Sequence, residues 1–206
     1  QGAGVIPVDV ESMRIDLLAF PGHKGLLGPQ GTGGLYVREG VDIQPVIQGG
    51  TGSFSDQLTQ PRVFPDMLEC GTLNAPGIVG LGKGVSFILE TGIATIRKKK
   101  QHLLKRLFSA LEKEERITVY SPPPEQNSGI ISLSVEDMDS AEVGYILNKN
   151  FGIQIRNGLH CAPLAHQALG TRERGLVRIS PGFFNTDNEL DLAAKALQKI
   201  ASGMIL

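Results

Sequence analysis

Up to residue 75 the apolar positions come in short runs broken by glycine and proline. Asp16-Leu-Leu-Ala-Phe20 is one such run, read as a buried strand that ends at Pro21-Gly22. Gly33-Gly-Leu-Tyr-Val-Arg38 follows a glycine-rich turn and is rich in strand formers. Residues 41–47 are expected in short extended pieces that lead into Gln48-Gly-Gly-Thr-Gly-Ser53, a loop by composition. Residues 54–75 carry little periodicity and are expected to be irregular. From Pro76 the spacing turns helical: Ile78, Val79, Leu81, Val85, Ile88 and Leu89 recur on one side, with Pro76 near the helix start. A second helix is predicted over 93–115, with Ile96, Leu103, Leu104, Leu107 and Leu111 on one face. Lys98-Lys99-Lys100 lies on it and reads as a solvated face. Strands are predicted over 117–120 and 129–135, separated by Pro122-Pro-Pro124, and then at 153–155 and 177–180. Helices are predicted over 141–148 and 188–202.

These elements imply an α/β chain in two parts. Residues 1–90 read as one part, with two short strands and the first helix. Residues 91–206 read as a small α+β domain whose antiparallel sheet is covered on one face by helices. The sequence contains no internal repeat and no low-complexity linker.

Composition narrows the function classes. Of 206 residues, 41% are hydrophobic and 20% charged, ordinary for a chain that buries a core. Twenty basic against 21 acidic residues give a formal net charge of −1, so no field favours nucleic acid or an anionic membrane. No apolar run reaches the roughly 20 residues a helical membrane span needs. The two cysteines, Cys70 and Cys161, could form one disulfide, but free thiols in a cytoplasmic protein are the expected state. Gln1 carries no initiator methionine, and the opening segment reads like the middle of a chain, so sequence is expected before residue 1.

Candidate chemistry starts at Phe20-Pro-Gly-His-Lys24-Gly-Leu-Leu-Gly-Pro-Gln-Gly-Thr-Gly-Gly34. A lysine at the end of an apolar strand among glycines can be partly desolvated, which favours the uncharged amine that Schiff-base chemistry needs. Arg178 sits in an apolar strand, where a lone guanidinium is costly unless paired, and its fork of donors suits a carboxylate. Either a substrate carboxylate or a structural acid would satisfy it. Cys161 lies in Arg156-Asn-Gly-Leu-His-Cys-Ala-Pro163, where neighbouring cationic or imidazole groups would favour the reactive thiolate; a buried structural thiol is the plainer reading. His160, His166 and Cys161 lack a fourth ligand at sensible spacing, so no metal site is expected. The glycine-rich segments form neither a dinucleotide-binding turn nor a phosphate-binding P-loop.

His23-Lys24, then Gly28-Pro29-Gln-Gly31 and the Gly-Leu-Tyr-Val strand, resemble the cofactor-lysine segment of the class V aminotransferase family. The resemblance continues in order through Gln1–Val10, Gln48–Ser53, Glu69-Cys-Gly-Thr-Leu-Asn74, the Arg156–Ala162 segment, and Val177-Arg-Ile-Ser180 with Asn185-Thr186. Within the family the Arg156–Ala162 segment is most similar to the active-site cysteine segment of cysteine desulfurases and selenocysteine lyases. Leu159 and Pro163-Leu-Ala-His166 depart from the usual pattern.

The resemblance implies a pyridoxal 5′-phosphate enzyme in which residues 1–90 are the C-terminal part of the large cofactor-binding domain, with a mainly parallel, incomplete sheet, and Lys24 is the Schiff-base lysine that also moves protons at the substrate α-carbon. It implies that His23 lies near the cofactor and takes part in catalysis, and that Gln1 hydrogen-bonds the cofactor's phenolic oxygen. Thr51 is matched to a phosphate contact that reaches the partner subunit's cofactor, which implies a homodimer. Arg178, with Arg156, is matched to substrate binding. Cys161 would take sulfur from L-cysteine (or selenium from selenocysteine) as a persulfide, release alanine and pass sulfur to an acceptor protein. The alternatives are another class V enzyme, such as an aminotransferase or selenocysteine lyase, or a non-catalytic scaffold that keeps the fold. The family's pyridine-nitrogen acid, ring-stacking histidine and helix-start phosphate contacts match nothing in these residues. The 206 residues alone are therefore expected to bind the cofactor poorly and turn over little.

Overall fold

The computed structural model describes residues 1–205 and divides into two compact units, the first running to Ile93 and the second beginning at Ala94. In the first unit, β1 (Leu17–Pro21) and β2 (Gly33–Val37) form an antiparallel ladder that pairs Leu17 with Val37 and Phe20 with Gly34. The mainly parallel sheet expected for this unit is not formed among its described residues. The connection over residues 22–32 lacks the helical crossover that parallel pairing requires, so the two strands close as a hairpin. Residues 41–47 form no strand. Helix α1 (Ala75–Thr91) starts at Asn74, whose side chain accepts a bond from Gly77 N at 3.1 Å, and stops at Gly92, where φ is 83°.

The second unit holds the larger core. Strands β3 (Ile117–Val119), β4 (Ile131–Val135) and β5 (Val177–Ile179) pair antiparallel in that order, with β4 in the centre. In β4, Ile131, Leu133 and Val135 are buried while Ser132 and Ser134 are only half-buried, the alternation of a sheet with one covered face. Leu103, Leu104, Leu107 and Leu111 of α2 (Ile93–Leu111), Val143 and Leu147 of α3 (Ser140–Phe151), and Leu197 and Ile200 of α5 (Asp187–Ala201) fill the core.

Several boundaries differ from the sequence reading for visible reasons. Helix α2 ends at Leu111, its last core-facing residue, and a tight turn (Glu114 N to Leu111 O, 3.1 Å) redirects the charged residues towards β3. Strand β4 starts at Ile131 because the Asn127 side chain takes the Gly129 and Ile130 amides at 2.8 and 3.0 Å. Residues 153–155 form no strand; pairing there is confined to one bridge between Arg156 and Arg178. A short helix, α4 (Pro163–Ala168), follows Cys161 and was not expected. Of the three consecutive lysines only Lys98 is fully exposed. Lys99 pairs with Asp187 at 3.3 Å, and Lys100 is half-buried, which lowers its pKa by desolvation.

Candidate functional site

Lys24 stands three residues beyond β1, in a loop pinned at several points. Gly22 N donates to Thr32 O (2.7 Å), Gly28 N to Gly22 O (2.8 Å) and Leu27 N to Lys24 O (3.0 Å). The chain on either side packs against this loop only because glycines are there. A Cβ at Gly25 would lie 2.2 Å from Ala3 O and 3.3 Å from Gln1 O, and one at Gly84 of α1 would lie 2.4 Å from Leu26 O. Gln1 is thereby brought beside the residue that follows Lys24. Lys24, His23 and Gln1 are all exposed, so the desolvation expected for the lysine is not supplied by this unit.

Thr51 lies in a separate loop of the same unit. Its hydroxyl oxygen accepts from the Ser53 and Phe54 amides at 3.3 and 3.4 Å, leaving the hydroxyl proton free to donate. A Cβ at neighbouring Gly50 or Gly52 would meet open space. Cys70 is a free, half-buried thiol.

In the second unit Arg156, His160, Cys161 and Arg178 come together. The frame is a backbone bridge: Arg156 N donates to Arg178 O at 3.2 Å and Arg178 N to Arg156 O at 2.7 Å. Directly opposed residues of such a pair send their side chains to the same face. The loop after Arg156 is tied down by Gly158 N to Ser140 Oγ (3.2 Å) and by Leu176 N to Gly158 O (3.1 Å). It then closes a turn, Ala162 N to Leu159 O at 2.8 Å, whose central residues His160 and Cys161 have φ of 54° and 61°. Left-handed backbone costs a residue other than glycine about 1–2 kcal/mol, and such strain concentrates at functional sites.

That turn presents the Cys161 thiol, which is exposed and free, to the Arg156 guanidinium, with Nη2 2.9 Å from Sγ. Arg178 Nε is buried without a hydrogen-bond partner. Desolvation lowers the pKa of this guanidinium; Arg156 lowers it further, and the Cys161 sulfur acts the other way. His160 Nε2 lies 3.2 Å from Arg156 O. A carbonyl only accepts, so Nε2 carries the proton and Nδ1 keeps its lone pair while the ring is neutral. Desolvation holds the His160 pKa below the usual imidazole range. The bond to Arg156 O opposes this, and the charges of Arg178, His166 and Arg156 add to it.

Behind the turn, buried His166 bonds Thr171 Oγ1 through Nδ1 at 2.9 Å, and its ring lies 5.4 Å from that of His160. The sequence reading treated His166 only as a discounted metal ligand. Nor did it single out Ser140, which anchors the loop. Ser140 stands immediately before the helix predicted over 141–148, the one signal that could have drawn notice. Among the described residues no three His, Cys, Asp or Glu gather as metal ligands.

A family model for class-V aminotransferases matches residues 1–192. A probable cysteine desulfurase of Methanothermobacter thermautotrophicus is 38% identical over 208 residues, covering 98% of this chain and 51% of the relative. An Escherichia coli cysteine desulfurase is 34% identical over 201 residues, covering 94% and 48%. The chain thus spans about half the length of the curated relatives it matches. Two solved structures superpose well. The apo cysteine desulfurase of Thermococcus onnurineus NA1 has a TM-score of 0.83 at 30% identity, over 98% of this chain and 51% of that one. The S-sulfonic acid form of the cysteine desulfurase CsdA from Escherichia coli has a TM-score of 0.84 at 26% identity, over 100% and 51%. With the family pattern running through nearly all of its residues, the chain belongs to the class-V aminotransferases.

Proposed function

We propose that the protein is a cysteine desulfurase, which moves sulfur from L-cysteine onto Cys161 and releases L-alanine. One observation carries this reading: an exposed thiol held by Arg156 on a strained turn, beside a buried Arg178 Nε that has no partner. A nucleophilic sulfur and an unsatisfied carboxylate receptor are what a thiol-bearing amino acid requires. The cysteine desulfurases among the relatives support the same class.

The residues around Lys24 fit the reactive end of pyridoxal phosphate. A primary amine suited to the aldehyde is exposed on a pinned loop, with His23 next to it in sequence and the Gln1 backbone beside Gly25. Bound through Lys24, the cofactor supplies an electron sink for negative charge at the substrate α-carbon. The Lys24 amine moves the proton at that carbon, and His23 and Gln1 bind the cofactor near the lysine. Arg178 takes the α-carboxylate. The Cys161 thiolate attacks the substrate sulfur: an S–S bond forms, and the C–S bond breaks with its electron pair left on carbon. That carbon takes up a proton and ends as the methyl group of alanine, while the Cys161 sulfur is oxidised to a persulfide. Exposure of Cys161 lets an acceptor protein's thiol collect the terminal sulfur.

The same reading makes the protein a homodimer. The free Thr51 hydroxyl proton and the open space at Gly50 and Gly52 suit a phosphate brought by a second subunit. Two free thiols agree with a cytoplasmic setting.

The test uses the full-length protein with L-cysteine and dithiothreitol. Sulfide and alanine should appear in equal amounts. Cys161→Ala should abolish sulfide release and keep the cofactor's visible absorbance, whereas Lys24→Ala should lose that absorbance. Sulfide release at an unchanged rate from Cys161→Ala would overturn the proposal.

A further inference from the structure

The two arginines of the second unit are placed where like charges repel. Residues directly opposed on neighbouring strands present their side chains on one face, and two cations there destabilise the pair. The bridge between Arg156 and Arg178 is such a pair, and the charge of Arg156 is one of the causes that lower the Arg178 pKa. The arrangement calls for negative charge, and the two guanidiniums differ in how they find it. Arg156 already has a partner in Cys161 Sγ at 2.9 Å, while Arg178 Nε is buried with none. They therefore do different work. Arg156 is exposed and long enough to reach over its own loop to the sulfur five residues on. Arg178 is half-buried in β5, where its donors are fixed and directional.

We propose that Arg156 is a positioning residue for Cys161, holding its sulfur at the tip of the 159–162 turn through a charge-assisted hydrogen bond, while Arg178 alone serves the substrate carboxylate. The turn gives the contact its purpose. His160 and Cys161 both hold left-handed backbone, so the direction of the thiol is set by a conformation that is costly for these residues. The bond from Arg156 to sulfur ties that turn to the same strand bridge that carries Arg178. His160 Nε2 on Arg156 O is a second tie between turn and bridge. The inference rests on Cys161 being the sulfur-accepting residue.

The experiment measures alkylation of Cys161 by iodoacetamide at neutral pH in the full-length protein. Peptide mass spectrometry gives the rate, with Cys70 as the internal reference. Arg156→Gln should slow alkylation of Cys161 about tenfold, the scale of one charge-assisted hydrogen bond, and leave Cys70 unchanged. Arg156→Lys, which keeps a charge and a donor, should recover part of the loss. With L-cysteine, Arg156→Gln should lower kcat at nearly constant KM. Arg178→Gln should raise KM and slow Cys161 alkylation less than Arg156→Gln does. Wild-type alkylation in Arg156→Gln, no recovery in Arg156→Lys, or an Arg156→Gln effect confined to KM would each overturn the assignment. The desulfurase reading fails separately, by sulfide release that survives Cys161→Ala. If that variant is inactive while Arg156→Gln alkylates normally, only the role of Arg156 falls.

Discussion

His160 is neutral at neutral pH because of what surrounds it. Its ring is partly withdrawn from water, and the charges of Arg178, His166 and Arg156 also disfavour a proton there. The carbonyl bond to Arg156 O only partly offsets these effects. In the unfolded chain the same imidazole takes its proton near 6.5. Below that value the unfolded state therefore binds more protons than the folded one, and stability falls as the pH drops. The contribution is complete above about 6.5 and is lost as the pH falls towards the lower, folded value. Urea titrations of the chain on either side of that range should show the midpoint falling with acid, with a shallower fall in His160→Asn. An equal pH dependence in the two proteins would contradict the account. At this scale the sequence was informative about residue identity and silent about contact. Lys24, Cys161 and Arg178 stand in recognisable segments. The bond from Arg156 to sulfur depends on two left-handed residues in a turn, which no periodicity records.

Among the elements, α5 shows most directly how a local pattern becomes structure. Thr186 Oγ1 accepts from Glu189 N at 3.4 Å, and Glu189 Oε2 accepts from Thr186 N at 2.6 Å, a reciprocal capping box. That bond is the first cause of the lowered Glu189 pKa. Asp187 and Asp191 in the first turns meet Lys99, His102 and Arg106 of α2, so the cap also fixes where the two helices face each other. Thr186→Ala should cost about 1 kcal/mol, read as a lower urea midpoint with an unchanged slope. No change in midpoint would mean that the contacts to α2, and not the cap, set the helix start. The long helices were legible because their apolar spacing survives in any environment, while the six-residue α4 is too short to show one. The strands were less so. Residues 129–130 have strand composition but give their amides to Asn127, and residues 153–155 have the pattern but only a single bridge after them. The parallel sheet expected for residues 1–90 came from family resemblance, and the described residues of the first unit supply only a hairpin.

Across the whole molecule burial is unevenly shared. Among the described residues of the first unit, Val5, Pro61 and Ile88 are the buried apolar side chains. Its helix α1 leaves Val79 and Leu89 66% and 76% exposed, and Val46 and Leu58 in the loops are exposed almost completely. In the second unit, Leu103, Leu107, Leu133, Leu147 and Leu197 are all 0% exposed. Each buried leucine contributes about 1.5–3 kcal/mol, so the second unit has a core that holds it together and the first has little. Local opening free energies should follow this difference, from near zero in poorly packed segments to the global value in the core. Hydrogen exchange on the 206-residue chain should find the slowest amides in β4, α3 and α5. Residues 41–70, which hold no helix or strand, should exchange fastest, and α1 should fall between, its intrahelical bonds protected by little packing. Protection in α1 equal to that in α5 would show that the exposed face of α1 is covered in solution. The apolar surface on the first unit would then be an interface between copies of the chain, and the protection should disappear on dilution.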